Sequence, residues 1–245
     1  MKISIVTITH NSAKTLQRAL NSVQSQTYTD IEHIIIDGAS TDGTREQVEA
    51  YAKTHTNVKW LSEPDDGIYN ALNKGIRMAT GDVIGLLHSD DVLKSPDSIE
   101  HIATAFTPEV HLVYGNLQYC RAGKVVRRWK SNPFRPASLK FGWMPPHPTV
   151  YCRREVFEGV GEYDEWFRIS ADYDMLLRIF KAGYTSRYIP EVLVIMETGG
   201  ASNKDTRARL SKTQEDYFVL KKNHVGAGLL TVACKQLRKL RQFLC

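Results

Sequence analysis

Along residues 1–91 the apolar positions switch repeatedly between a strand pattern and a helical one. "KISIVTIT" is almost unbroken in apolar and β-branched residues, as a strand covered on both faces requires. "NSAKTLQRALNSVQSQ" then places Leu16, Ala19, Leu20 and Val23 at helical spacing, with Asn11 or Ser12 positioned to cap it. "IEHIIID" predicts a second strand, "STDGTREQVEAYAKTH" a capped helix and "VKWLSE" a third strand. In "GIYNALNKGIRMA", Ile68, Leu72, Ile76 and Ala79 share one helical face, and "GDVIGLL" predicts a fourth strand running into His88, Ser89, Asp90 and Asp91. Such alternation predicts an α/β fold around a doubly wound sheet, whose ligands bind beyond the carboxyl ends of the strands. Four segments follow strands and are expected at that one edge: Thr9 to Ser12, Asp37 to Ser40, Glu63 to Asp66, and His88 to Asp91.

The second half is less regular. "HLVYGNLQYC" and "KVVRRWK" predict a hairpin turning between Arg121 and Lys124, followed by the Pro-rich loop "NPFRPASLKFGWMPPHPT". "TVYCRREVFEGVG" predicts a strand and a short helix, "ADYDMLLRIFKAG" an amphipathic helix, and "TSRYIPEVLVIME" a last strand. The Gly-rich loop "TGGASNKD" then leads into one or two basic helices.

At 245 residues the chain is long enough to bury a large core, and it has no low-complexity tract. Four scattered cysteines (Cys120, Cys152, Cys234, Cys245) have no metal or disulfide spacing and suit reduced thiols. The net charge of +5 is modest, its basic excess lies past Lys204, and no nucleic-acid partner is expected. "MKISIVTITHNS" lacks the long apolar core and cleavage site of a signal peptide, so a cytoplasmic location is expected.

Adjacent Asp90 and Asp91 at a strand end repel each other unless a cation joins them. A hard divalent ion such as Mn2+ or Mg2+ suits them, because it takes one or two carboxylates and fills its shell with water and substrate phosphate. The competing reading is that both aspartates cap the helix in "SPDSIEHIATAF". Asp37 ends another strand before "GASTDGT", where a helix start can meet an anion or ribose, or where Asp42-Gly43 merely makes a turn.

Four blocks in order, "VTITHN", "SVQSQTYTDIEHIIIDGASTDGT", "DDGIYNALNKGIRMATGDVIGLLHSDD" and "HPTVYCRREVFEGVGEYDEWFRISADYDMLLRI", resemble the motifs of family 2 glycosyltransferases of the GT-A fold. The third block is similar to a bacterial branch that builds capsule and exopolysaccharide units. The resemblance covers Met1 to Ser202. It implies a GT-A domain at 1–203, with a nucleotide-binding half (1–91), an acceptor-binding half (92–203) and a basic helical segment at 204–245.

By that resemblance Asp91 is the metal-binding aspartate and Asp90 its neighbour near ribose and diphosphate. Asp37 opens the nucleotide-binding loop, with Gly38 where relatives often carry a second aspartate. Thr9, Asn11 and Asp66 belong to the donor site, and Asn73 and Lys74 match a polar pair near the nucleotide, a solvated helix face being the alternative for Lys74. Asp172 matches the catalytic base of an inverting enzyme, and Ala171 replaces the glutamate often found beside it. Such a base takes the proton of the attacking hydroxyl. Asp174 is expected to support the helix start or the acceptor pocket. His147 is placed on the acceptor side, with a structural role beside two prolines as the alternative, and "ETGGAS" resembles a loop closing on the donor through Ser202 and backbone groups.

In the tail, Leu229, Leu230, Val232, Ala233, Leu237, Leu240 and Leu244 are expected as one apolar face flanked by Lys235, Arg238, Lys239 and Arg241. That suits an anionic membrane surface, or a helix packed on the domain. The combined expectation is an inverting, metal-dependent transferase using a nucleotide-sugar, UDP-linked by default, and a saccharide or lipid-linked oligosaccharide acceptor at the inner membrane face. A non-catalytic saccharide- or nucleotide-binding subunit of a polysaccharide assembly complex is the alternative.

Overall fold

The computed structural model describes residues 1–197 and 206–243. Its first half is β1 (Ile3–Thr9), α1 (Leu16–Gln24), β2 (Ile31–Asp37), α2 (Thr44–Thr54), β3 (Val58–Ser62), α3 (Ile68–Met78) and β4 (Val83–Leu86). The four strands are parallel in the order β3-β2-β1-β4. β1 and β2 are buried at every position, which is why their sequences carry no polar alternation. Register aligns the strand ends: Thr9 lies opposite Asp37, and Asp37 opposite Ser62. The Ser89 hydroxyl donates to Ser12 Oγ at 2.9 Å, so the expected common edge forms.

The sheet continues through β5 (Asp91–Leu93), β6 (Leu112–Arg121), β7 (Lys124–Trp129), β8 (Tyr151–Arg153) and β9 (Ser186–Glu197). Its complete order is β3-β2-β1-β4-β8-β6-β9-β5, with β7 paired to β6. β8 runs antiparallel to β4 and β6, and β9 parallel to β6, so the sheet is mixed. The predicted hairpin is present, with Ala122 and Gly123 both at positive φ, as a tight two-residue turn demands. Helices α4 (Ser98–Ala105), α5 (Arg154–Val160) and α6 (Ala171–Lys181) complete this half.

Three local expectations change. Asp91 does not cap α4: it begins β5, pairing with Met196, and Asp97 stands at the α4 N-cap. Ile68 turns outward, and Tyr69 takes the buried place beside Leu72 and Ile76. α1 starts at Leu16 with Thr15 at its N-cap, because Ser12 is drawn into a turn that binds Thr15 and Leu16.

Past the described break, α7 (Thr206–Lys222) and α8 (Leu229–Leu240) lie on the domain and contribute to its core. Val219, Leu220, Val225 and Val232 join the same apolar cluster as Ile84, Tyr114 and Leu176. The expected single apolar face of α8 is therefore divided. Val232 is buried, whereas Leu229, Leu230, Leu237 and Leu240 are each at least 60% exposed. The "TGGASNKD" loop with Ser202, and Leu244, fall outside the described residues.

Candidate active site

At the carboxyl edge of β1, β2 and β3, Asp37 is fully buried. Its carboxylate accepts from the Ser62 hydroxyl at 2.6 Å and from the Ser40 amide and hydroxyl. Asp37 therefore fastens the loops together and has no exposed oxygen. Gly38 is required beside it: a Cβ there would sit 2.9 Å from Asp65 Oδ2 and 3.2 Å from His10 Nδ1. Asn11 adopts φ 48° and accepts the Thr41 amide, shaping the same edge. Thr9 is buried with its hydroxyl unpartnered, and Asp66 is solvent-exposed and ion-paired to Arg168 at 3.1 Å.

Asn73 and Lys74 are committed elsewhere. Buried Asn73 donates to Tyr163 O and Glu165 Oε1 and accepts the Tyr163 amide, a set that leaves nothing for a nucleotide. Lys74 pairs with Glu63 and Asp65, each at 2.8 Å, and donates to Pro64 O. It holds the loop after β3.

The second half adds a cavity of about 580 Å3. His88 and Asp90 reach it from the end of β4, His147 from the Pro-rich loop, and Asp172 from the first turn of α6. An ionised carboxylate is favoured at a helix start by the exposed amides there. The segment before Asp172 is held by α7: Glu215 accepts the amides of Ile169 and Ser170, each at 2.9 Å, and Asp216 accepts the Ser170 hydroxyl. Asp174 is buried against Arg178, Lys222 and Asn223, so it joins α6 to α7 and stays off the cavity. His147 Nε2 lies 2.7 Å from the Tyr163 hydroxyl, and burial lowers its pKa to about 4, so it is neutral near pH 7. Burial also lowers His88, although Asp90 and Asp172 pull the other way.

Asp90 lines the cavity; Asp91 is wholly buried and does not. Both Asp91 carboxylate oxygens lack any partner, and burial, with the Asp90 charge next, raises its pKa well above the carboxylate range. Oxygen donors are what a hard cation takes, and the Asp90 carboxylate faces the cavity while both Asp91 oxygens lack a partner, so the pair fits one. Among the described residues no cluster of three or more potential ligands exists. Of the two aspartates, Asp90 is the one that faces the cavity.

Residues assigned no part in the site on sequence grounds also line this cavity. Tyr119, Arg127 and Trp129 come from the β6–β7 hairpin, Trp143 from the Pro-rich loop, and Lys235, Arg238 and Lys239 from α8. The spacing of the last three, i, i+3 and i+4, marks one helical stripe and was the available signal. Lys235 is 4% exposed, 2.8 Å from Asp216 Oδ1 and 3.3 Å from the Tyr173 ring centre. Burial lowers its pKa to about 8 against the pull of Asp216.

Residues 4–170 match the family model described as glycosyl transferase family 2. A PGL/p-HBAD biosynthesis glycosyltransferase from Mycobacterium tuberculosis is 32% identical over 206 residues, 82% of this chain and 78% of that protein. An uncharacterized glycosyltransferase of Nostoc is 32% identical over 229 residues, covering 88% and 70% respectively. Among solved structures, a Pyrobaculum calidifontis mannosyltransferase in complex with GDP-Man and Mn2+ superposes with a TM-score of 0.69 at 20% identity, over 95% of this chain and 69% of that one. S. aureus TarS 1-349 in complex with UDP-GlcNAc gives 0.70 at 17% identity, over 91% and 65%. These neighbours share the GT-A fold, and by the match over most of its length the chain belongs to glycosyl transferase family 2 and is a glycosyltransferase.

Proposed function

We propose that this enzyme moves one sugar, with inversion, from a nucleoside-diphosphate donor to a saccharide acceptor, using Asp172 as the base. The observation carrying this reading is that Asp90 and Asp172 face one cavity, while Glu197, the third carboxylate there, is paired with Arg18. The nucleoside lies over the carboxyl edge at Thr9, Asn11 and Asp66, with Asp37 holding the loops beneath it. The acceptor lies against Tyr119, Trp129, Trp143 and His147, since apolar rings with a few polar groups suit a sugar. As the acceptor oxygen bonds to the anomeric carbon, Asp172 takes its proton, and the bond to the diphosphate breaks with the electron pair leaving on the diphosphate. Asp90, with Asp91 behind it, would hold Mn2+ or Mg2+, which would supply Lewis-acid neutralisation of that departing charge.

The donor complexes of the two structural neighbours support a nucleoside-diphosphate sugar, one with guanine and one with uracil, so both belong in the test alongside the UDP default. A lipid-linked acceptor in bacterial capsule or exopolysaccharide synthesis fits the outward leucines of α8, which would rest on the inner membrane face. Among the described residues no helix is long and apolar enough to cross a membrane, so contact would be peripheral.

The test is nucleotide release from UDP- and GDP-sugars with Mn2+. Asp90→Asn should abolish metal-dependent release. Asp172→Asn should keep donor binding and lower transfer about a hundredfold or more. Donor-independent behaviour, with no nucleotide binding, would overturn the reading.

A further inference from the structure

The cavity lining is strongly basic. Eight of its residues are Lys or Arg, against the three carboxylates Asp90, Asp172 and Glu197. The cations come from β7 and the adjoining loop (Arg127, Arg128, Lys130), from Arg168, from α7 (Lys212) and from α8 (Lys235, Arg238, Lys239). Arg168 and Lys235 have carboxylate partners, and Lys212 lies 4.0 Å from Asp216. Among the described residues, Arg127, Lys130, Arg238 and Lys239 form no ion pair. Half-buried Arg127 is instead held by neutral groups: its Nε donates to Gln242 Oε1 at 2.7 Å, and its guanidinium lies 4.3 Å from the Tyr119 ring centre.

This wall is costly as it stands. Burial pushes Lys239 and Arg127 down; Lys212 and Arg127 push Lys239 further, while Asp216 and Asp172 pull it back up and Tyr119 pulls Arg127 up. Cations that repel one another around a cavity are stabilised together by an anion bound among them. α8 makes the arrangement directional. Its exposed face carries Leu229, Leu230, Leu237 and Leu240, while Lys235, Arg238 and Lys239 all line the cavity. Of the three, Lys235 is buried, Lys239 half-buried and Arg238 exposed to solvent as well as to the cavity.

We infer that the inner stripe of α8, with Arg127 and Lys130, is a subsite for a phosphate or diphosphate group carried by the acceptor. This rests on the transferase reading and adds the acceptor's chemical class to it. The location favours acceptor over donor because β7 and α8 belong to the part of the chain after the parallel strands, whose carboxyl edge takes the nucleoside. A phosphate attached to a prenyl chain and a phosphate within a soluble acceptor present the same chemistry to these side chains.

Binding is measured by calorimetry on the full chain with UDP or GDP and Mn2+ at saturation, so that the donor diphosphate position is filled. The probes are inorganic pyrophosphate, farnesyl diphosphate and farnesol. Both diphosphates should bind, with affinity falling as salt rises, and Arg238→Ala/Lys239→Ala should weaken them about tenfold or more. Charge reversal in Lys239→Glu should weaken them further. Farnesyl diphosphate binding tighter than pyrophosphate would assign the phosphate to a lipid, and equal affinities to a soluble acceptor. Unchanged diphosphate affinity in both variants would overturn the subsite. So would an equal loss of nucleotide affinity, which would give the wall to the donor. Absence of nucleotide binding in the wild-type protein would instead sink the transferase reading itself, whatever pyrophosphate does.

Discussion

Asp90 and Asp91 show how adjacent identical residues acquire different physics. Asp90 lies in the turn between β4 and β5 and Asp91 opens β5, so one carboxylate meets the cavity while its neighbour is buried. The folded-state pKa of Asp91 is raised above its unfolded value, so the stability it contributes is present at low pH and lost as pH rises. Near neutral pH without a cation it is a cost. Asp91→Asn should therefore raise the thermal midpoint of the metal-free protein, by about 3 °C for about 1 kcal/mol in a chain of this size. Adding Mn2+ with UDP should raise the wild-type midpoint and leave Asp90→Asn unmoved. A lower metal-free midpoint in Asp91→Asn would show that its carboxylate has a partner the fold needs.

At the scale of one element, α8 carries two jobs on opposite faces. Thr231, Val232 and Lys235 are buried against the domain, and the leucines look outward. Leu237 and Leu240 are 62% and 60% exposed, so Leu237→Ser/Leu240→Ser should leave the unfolding midpoint within error. Burial of one leucine is worth about 1.5–3 kcal/mol, so losing two should lower the partition coefficient onto anionic vesicles at least about a hundredfold, read by co-sedimentation. Equal partitioning of variant and wild type would remove the membrane role from this face. The same element explains a misreading of the sequence. A tally of apolar and basic residues gives an amphipathic helix, but the fold, by burying Val232 and Lys235, decides which stripe meets water.

The whole molecule should be acid-sensitive earlier than its carboxylates imply. His33 and His147 are both buried, and burial lowers them to about 3 and about 4 from an ordinary 6.5. Between those values and 6.5 the unfolded chain binds more protons, so stability rises with pH through that window and is lost as pH falls through it. From pH 7 to pH 5 each histidine should cost about 2 kcal/mol, read as a falling urea midpoint. His147→Gln should reduce that slope, and a flat profile in the wild type would mean the imidazoles are reached by water in the folded state. Because His33 lies in β2 and His147 against Tyr163, the two report on separate halves of one sheet.

Local pattern alone determined the parallel half. The apolar runs of β1 and β2, the helical spacing in α1 and α3, and the turn at Ala122-Gly123 are each fixed by neighbours in the chain, and they set the shared edge of Thr9, Asp37 and Glu63. The ordered motifs also named Asp90 and Asp172, which do meet at the cavity. Tertiary structure decided what depends on distant partners. Glu165 and Tyr163 take up Asn73, and Glu63 and Asp65 take up Lys74, although both residues are polar and near the edge. β5 exists only because β9 returns beside it, and that pairing turns Asp91 inward. The basic wall forms only when α8 closes against α6 and α7, with Lys235 reaching Asp216 and Tyr173. Spacing along a chain fixes which face a side chain occupies, but only packing decides what that face meets.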